Sequence, residues 1–228
     1  MPVRVLTIRF TNDLRHHEVP LFRGAVISAL DNKPLLFHNH DGQALRYAYP
    51  LIQYKVLGGK AAIVAMGDGI DQLAQFFTSG NFDLKVGDRA MSLEVDRVQP
   101  LQYQLQVWDQ MCPYRVLRWL PLNSQYYRRY QSMESLPERM EMLQDIMRGN
   151  ILAMGKGLGV HFDRQVVVRL TGLDQPRLAR VKGTQMMSFN AQMRCNVNIP
   201  QYIGLGKHTS LGYGVVIAPD EQLPDTEQ

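Results

Sequence analysis

The stretch LIQYKVLGGKAAIVAMG, Leu51 to Gly67, decides how the fold is read. Two runs rich in apolar and β-branched residues flank Leu57-Gly58-Gly59-Lys60, and the Gly-Gly pair supplies the positive φ angles of a tight hairpin turn. The stretch therefore reads as two antiparallel strands. Upstream, PLFRGAVISAL (Pro20 to Leu30) sets Phe22, Val26 and Leu30 at helical spacing. In MPVRVLTIRF before it, Val3, Val5, Thr7 and Arg9 alternate with Arg4, Leu6, Ile8 and Phe10, the period of a strand. Downstream, DGIDQLAQFFTSG has an Asp cap and a closing Gly, so it reads as a second helix. RAMSLEVDRV, Arg89 to Val98, restores the strand pattern. The order β-α-β-β-α-β is the ferredoxin-like unit, a four-stranded sheet with both helices on one face. The other face is expected to stand open, as in RNA-recognition modules that stack bases on it. Topology alone does not fix function.

From Ser124 the pattern is helical over much of SQYYRRYQSMESLPERMEMLQDIMRGNILAMGKGLGV. Met140, Leu143, Met147, Ile151 and Met154 recur at three and four residues and read as the buried face of a long helix. RQVVVRLTG follows as a strand. MSFNAQMRCNVN then alternates from Met187 to Val197, with Ser188, Asn190, Gln192, Arg194 and Asn196 on the polar face. With YGVVIAP as a last strand, the second half is also α+β. Its element order suggests a divergent copy of the first half, with the boundary near Trp119 to Ser124. The expected division is 1–120, 121–220 and an acidic tail, 221–228, that frays.

The chain has 228 residues, 45% hydrophobic and 20% charged, an ordinary composition for a folded globular protein. Its net charge of +4 permits contact with phosphates without demanding it. Cys112 and Cys195 cannot form a disulfide framework or a ligand cluster and read as reduced packing residues. No apolar run approaches the ~18 residues of a membrane span, and the first residues alternate like a strand instead of forming a leader, so the expectation is cytoplasmic.

Chemistry concentrates in two places. In YIGLGKHTSLGYGVV, Gly204, Gly206, Gly212 and Gly214 frame a loop bearing Lys207, His208, Thr209 and Ser210. Glycine lets backbone N–H groups approach phosphates closely, although the same letters also make a turn between strands. The loop is not a nucleotide P-loop. Gln201 stands where the first Gly belongs, His208 follows Lys207, and a strand comes next where a helix is required. The second place is LFHNHDG, where His38 and His40 lie two residues apart. With Asp41 the one acid beside them, a metal site is a poor fit. In extended backbone, side chains at i and i+2 project to one side about 6.5–7 Å apart. Two imidazoles so placed can take and give protons near neutral pH, which suits RNA cleavage by the ribose 2′-OH without a metal. The same letters also read as a solvated turn. Among the cations and aromatics that follow, Tyr47, Tyr49, Gln53, Tyr54 and Lys55 fit either an RNA-contacting surface or the hairpin core. QYYRRYQ, with Arg128 and Arg129, and the hairpin bearing Arg177, Arg180 and Lys182 are candidate RNA-backbone contacts.

Together FRGAVISAL, LFHNHDG, YAYPLIQYKVLGGKAAIVAMGDG and NVNIPQYIGLGKHTSLGYGVV resemble, in order, the CRISPR-associated repeat-processing endoribonucleases of the Cas-six family. The glycine loop alone marks the wider RAMP superfamily, many of whose members are non-catalytic. The resemblance implies an α+β protein of two tandem ferredoxin-like, RRM-like domains, each with an antiparallel sheet and helices on one face. It implies metal-independent cleavage within CRISPR repeats, leaving a 2′,3′-cyclic phosphate or 3′-phosphate and a 5′-OH, with no cofactor. His38 and His40 become the catalytic histidines, with Tyr47, Tyr49 and Lys55 proposed beside them from proximity in sequence. Gly204, Gly206, Lys207, His208, Gly212 and Gly214 become RNA contacts. Repeat RNA is the implied partner, with effector-complex subunits and a second copy of the chain as further candidates. A non-catalytic RNA-binding subunit of an effector complex is the competing reading.

Overall fold

The computed structural model describes residues 2–30, 40–41, 44–45, 49–79 and 82–221, with backbone alone for 40–41, 44–45 and 79. His38 and Tyr47 lie outside the described residues, as does the expected tail beyond Glu221. The chain forms two compact units, one of residues 2–104 with Ser210–Gly212 and one of Leu105–Thr209 with Tyr213–Glu221.

The first unit runs β1 (Pro2–Asp13), α1 (Val19–Ser28), β2 (His40–Asp41), β3 (Ala44–Leu45), β4 (Ile52–Leu57), β5 (Lys60–Met66), α2 (Asp68–Ser79), β6 (Asp83–Val86), β7 (Arg89–Ser92) and β8 (Val95–Gln104). The Gly58-Gly59 turn is present, with φ of 61° and 76° and Leu57 registered against Lys60. β4, β5, β1 and β8 form an antiparallel sheet in that spatial order, the ferredoxin-like arrangement. Ile8, Phe10, Ile52, Tyr54, Val56, Ile63 and Ala65 share one core with Phe22 and Val26 of α1 and Leu73 and Phe76 of α2. The face expected to stand open is closed over much of its area: Val3, Val5, Thr7, Gln53, Lys55, Ala62, Val64 and Met66 are all buried. Stacking bases on it as RNA-recognition modules do is therefore excluded for these positions. The single strand expected over Arg89 to Val98 is two, because Leu93 and Glu94 break it and β7 turns back on β6 through Gly87.

The second unit runs β9 (Val107–Trp119), α3 (Ser124–Ser132), α4 (Leu136–Gly157), β10 (Val168–Leu173), β11 (Arg177–Val181), β12 (Thr184–Val197) and β13 (Val215–Ile217). The spatial order β10-β12-β9-β13 repeats that of the first sheet, with β11 also paired to β12. β9 pairs β12 and β13, so it is the first strand of this unit. The division accordingly falls before it, and not after residue 120 as the sequence pattern suggested. The long helix expected around Met140 to Met154 is α4, and the helical stretch before it from Ser124 is the separate α3; each has its own cap, the Asn123 side chain accepting from Tyr126 N at 2.7 Å and Ser135 accepting from Glu138 N at 3.3 Å. Leu143, Met147, Ile151 and Met154 are wholly buried, each worth about 2 kcal/mol of apolar burial. Met140 is half-buried. Where α2 stands in the first element order, the second has the run between β12 and β13, residues 198–214, with a short 3-10 turn, Thr209–Leu211, and no α-helix.

On β12, Gln192 and Arg194 face outward as expected, but Ser188 and Asn196 are buried. Asn196 closes an irregularity next to β10, accepting from Val167 N at 2.8 Å and donating to Gln165 O at 3.0 Å. Cys112 and Cys195 are free and sit opposite each other across β9 and β12. Burial pushes the Cys195 thiol up to about 12.

Candidate RNA interface

The glycine-rich loop is built by close backbone approach. Gly214 has φ of +66°, and a Cβ there would lie 1.9 Å from Leu205 O. Leu205 N in turn donates to Gly214 O at 2.9 Å. Gly206, at φ +92°, packs its Cα against the Trp119 indole, where a Cβ would come within 2.9 Å. The indole is itself held, its Nε1 donating to Asn150 Oδ1 at 2.9 Å. A Cβ on Gly204 would meet Thr209 Cβ at 2.5 Å. Gly212 also has positive φ, at 80°. His208 and Tyr202 adopt left-handed backbone as well, at φ 54° and 65°, a conformation that costs a non-glycine residue about 1 kcal/mol or more. That strain is sustained by the anchors just named, together with Lys207 N donating to Leu120 O at 3.3 Å.

Lys207 and His208 are half-buried on this loop. Burial lowers the Lys207 pKa from its ordinary value. His208 is also held down, first by burial and then by the positive charges of Lys182 and Lys207. Lys182 occupies the β11–β12 turn with Gly183, at φ 47° and 81°, and Val181 registers against Thr184. The sequence placed Lys182 apart from Lys207 and His208, and the structure brings the Lys182 charge to the loop, where it acts on His208 together with Lys207. Neither Lys182 nor Lys207 forms an ion pair among the described residues, and such lysines suit an anion such as a phosphodiester.

The other candidates separate. Arg180 and Arg177 are exposed on β11, three residues apart, and so project to opposite sides of the strand. Arg128 and Arg129 are exposed on α3 beside exposed Tyr126 and Tyr127, while Tyr130 turns inward. Tyr49 is half-buried. Tyr54 stacks edge-on against Phe22 in the first core, which settles it as a packing residue. Gln53 and Lys55 are fully enclosed in β4, on the sheet face away from α1. His40 has extended backbone, registered opposite Leu45, with Asp41 opposite Ala44. Among the described residues, no three His, Cys, Asp or Glu gather closely enough to hold a metal ion.

Two tandem units of ferredoxin-like strand order, the second carrying a glycine-rich loop in place of its second helix, define the architecture of this chain. The family model of the Cas6b N-terminal domain matches residues 1–104, and that of the Cas6b C-terminal domain matches residues 106–218, so the chain belongs to the Cas6b family. The boundary between the two models coincides with the division between the two compact units. A crystal structure of Cas6b superposes with a TM-score of 0.87 at 26% identity, covering 96% of this chain and 100% of that one. A crystal structure of the CRISPR RNA processing endoribonuclease Cas6b gives 0.74 at 23% identity, covering 95% and 99%. The uncharacterized protein MJ0978 of Methanocaldococcus jannaschii is 30% identical over 116 residues, 50% of this chain and 78% of that protein.

Proposed function

We propose that this chain is a CRISPR RNA processing endoribonuclease that cuts the precursor transcript within its repeats without a metal ion. The observation that carries the reading is the ordered match of both Cas6b domain families across nearly the whole chain. In the proposed reaction a histidine of the His38/His40 pair removes the proton of the ribose 2′-OH. The freed oxygen attacks the adjacent phosphorus, and the second imidazole protonates the departing 5′-oxygen. The direct products are a 2′,3′-cyclic phosphate and a 5′-OH, and water then opens the cyclic ester where a 3′-phosphate is the end product. Each well-placed acid or base is worth on the order of 10²–10⁴ in rate. Support for the pair comes from its place in the chain, in the N-terminal unit, and from the extended backbone at His40. Tyr47, Tyr49 and Lys55 complete the proposed catalytic group, and full burial keeps Lys55 from being an exposed phosphate contact. The glycine loop with Lys182, Lys207 and His208 holds the repeat phosphates, and Arg128, Arg129, Arg177 and Arg180 extend that contact.

The proposed compartment is the cytoplasm, where the RNA substrate is made. Among the described residues no helix is long and apolar enough to cross a membrane. Effector-complex subunits and a second copy of the chain are the proposed protein partners.

The test is single-turnover cleavage of labelled repeat RNA by wild type, His38→Ala and His40→Ala at saturating protein. At least one variant should lose cutting by about 10² or more while binding changes little. Binding by wild type with no cutting would instead make the chain a non-catalytic RNA-binding subunit, and cutting at the parental rate by both variants would remove the histidines from the reaction.

A further inference from the structure

Away from the glycine loop, the outward face of the second sheet carries three arginines on three adjacent strands. Arg115 on β9 is registered opposite Gln192 on β12, and Arg194 on β12 is registered directly opposite Arg169 on β10. Arg169, Gln192 and Arg194 are exposed and Arg115 is half-buried. With Thr171, Pro113 and Pro219, Arg115, Gln192 and Arg194 line an open concavity of 490 Å³. Like charges set directly across a strand pair repel, and opposite pairs are what stabilise a sheet. Yet none of the three arginines has an ion pair among the described residues. The partners Arg115 and Arg194 do have are neutral backbone carbonyls: Glu221 O at 3.1 Å and Met111 O at 3.3 Å. Each guanidinium keeps donors to spare, in the planar fork that matches a phosphate.

We propose that this face is a second phosphodiester-binding surface, which takes a single-stranded part of the repeat RNA by its backbone. The proposal rests on the RNA-processing reading above and names a further contact for the same substrate. Neighbouring strands lie about 4.8 Å apart, so the three arginines span roughly 10 Å, a flat array that tracks one strand. Among the described residues no exposed aromatic lines the concavity, the Tyr114 ring being buried. The surface therefore lacks the stacking platform that grips bases, and its contacts are electrostatic and indifferent to sequence.

The experiment compares the full chain with Arg115→Gln/Arg169→Gln/Arg194→Gln, binding labelled repeat RNA that carries a 2′-deoxy sugar at the cut site, over a salt series. The triple variant should bind about tenfold or more weakly and its log K against log salt slope should fall by about 2, near 0.7 for each lost phosphate contact. Its single-turnover cleavage of unmodified RNA at saturating protein should stay near wild type. Because Arg115 also holds Glu221, Arg169→Gln alone serves as the second variant, with a slope lower by about 0.7 in a fold whose melting is unchanged. An unchanged slope in both variants would overturn the proposal and leave the RNA-processing reading intact. Failure of wild type to bind repeat RNA would sink both, and the wild-type arm alone reports it.

Discussion

His208 shows how one residue in the glycine loop ties stability to charge. Its folded pKa lies below the ordinary 6.5 because burial, Lys182 and Lys207 all oppose the protonated ring. Between the folded and unfolded values the unfolded chain binds more protons, so this contribution to stability is whole above about pH 6.5 and is lost as pH falls toward the folded value. Wild type should therefore lose melting temperature between pH 7 and pH 5.5, and His208→Asn, whose side chain tolerates left-handed backbone, should lose measurably less. Equal losses in calorimetric scans of the two proteins would show that the ring does not carry the effect. The sequence exposed His208 and Lys207 as candidates through the flanking glycines. It could not show that Lys182 joins them, because that meeting depends on the β11–β12 turn. Lys55 teaches the converse. Beside Tyr47 and Tyr49 it fitted either a surface cation or the hairpin core, and only the burial of both faces of β4 reveals it as enclosed.

At the scale of elements, what could be read in advance was local. Gly58-Gly59 announces its hairpin because two adjacent positive φ angles suffice, and the stripe from Leu143 to Met154 announces a helix because one turn brings the next residue to the same face. β9 was invisible for the opposite reason. Its sequence, VWDQMCPYRVLRW, contains Pro113, and its pairing with β12 is interrupted by register shifts at both ends. What makes it a strand is a partner some eighty residues away, a relation that no window of neighbouring residues contains. The glycine loop lies between these cases, since its glycines were legible but the contacts that require them were not. Gly214→Ala should cost about 3 kcal/mol or more and weaken RNA binding, since its Cβ would collide with the Leu205 carbonyl at 1.9 Å. Gly183→Ala, at φ +81° with open space around it, should cost only about 1 kcal/mol of backbone strain. Urea denaturation of both variants checks the contrast, and equal costs would mean that the loop yields to the added methyl group.

For the whole molecule, the proposed function is that of a Cas6b-family chain on which the ribose cuts its own strand. The ferredoxin-like order of the first half was legible because each strand and helix carries its own periodicity, and the second half repeats that order with a loop where α2 would stand. This substitution sets the glycine-rich loop between β12 and β13 without changing the strand order. The most direct measurement is cleavage of labelled repeat RNA in excess EDTA, run beside the same RNA with one 2′-deoxy nucleotide immediately 5′ of the scissile phosphate. Attack by the 2′-OH predicts undiminished cutting of the all-ribose substrate, a cyclic or 3′-phosphate end on its 5′ fragment, and no cutting of the deoxy substrate at that site. Cutting that stops with the chelator, or continues through the deoxy nucleotide, would contradict it.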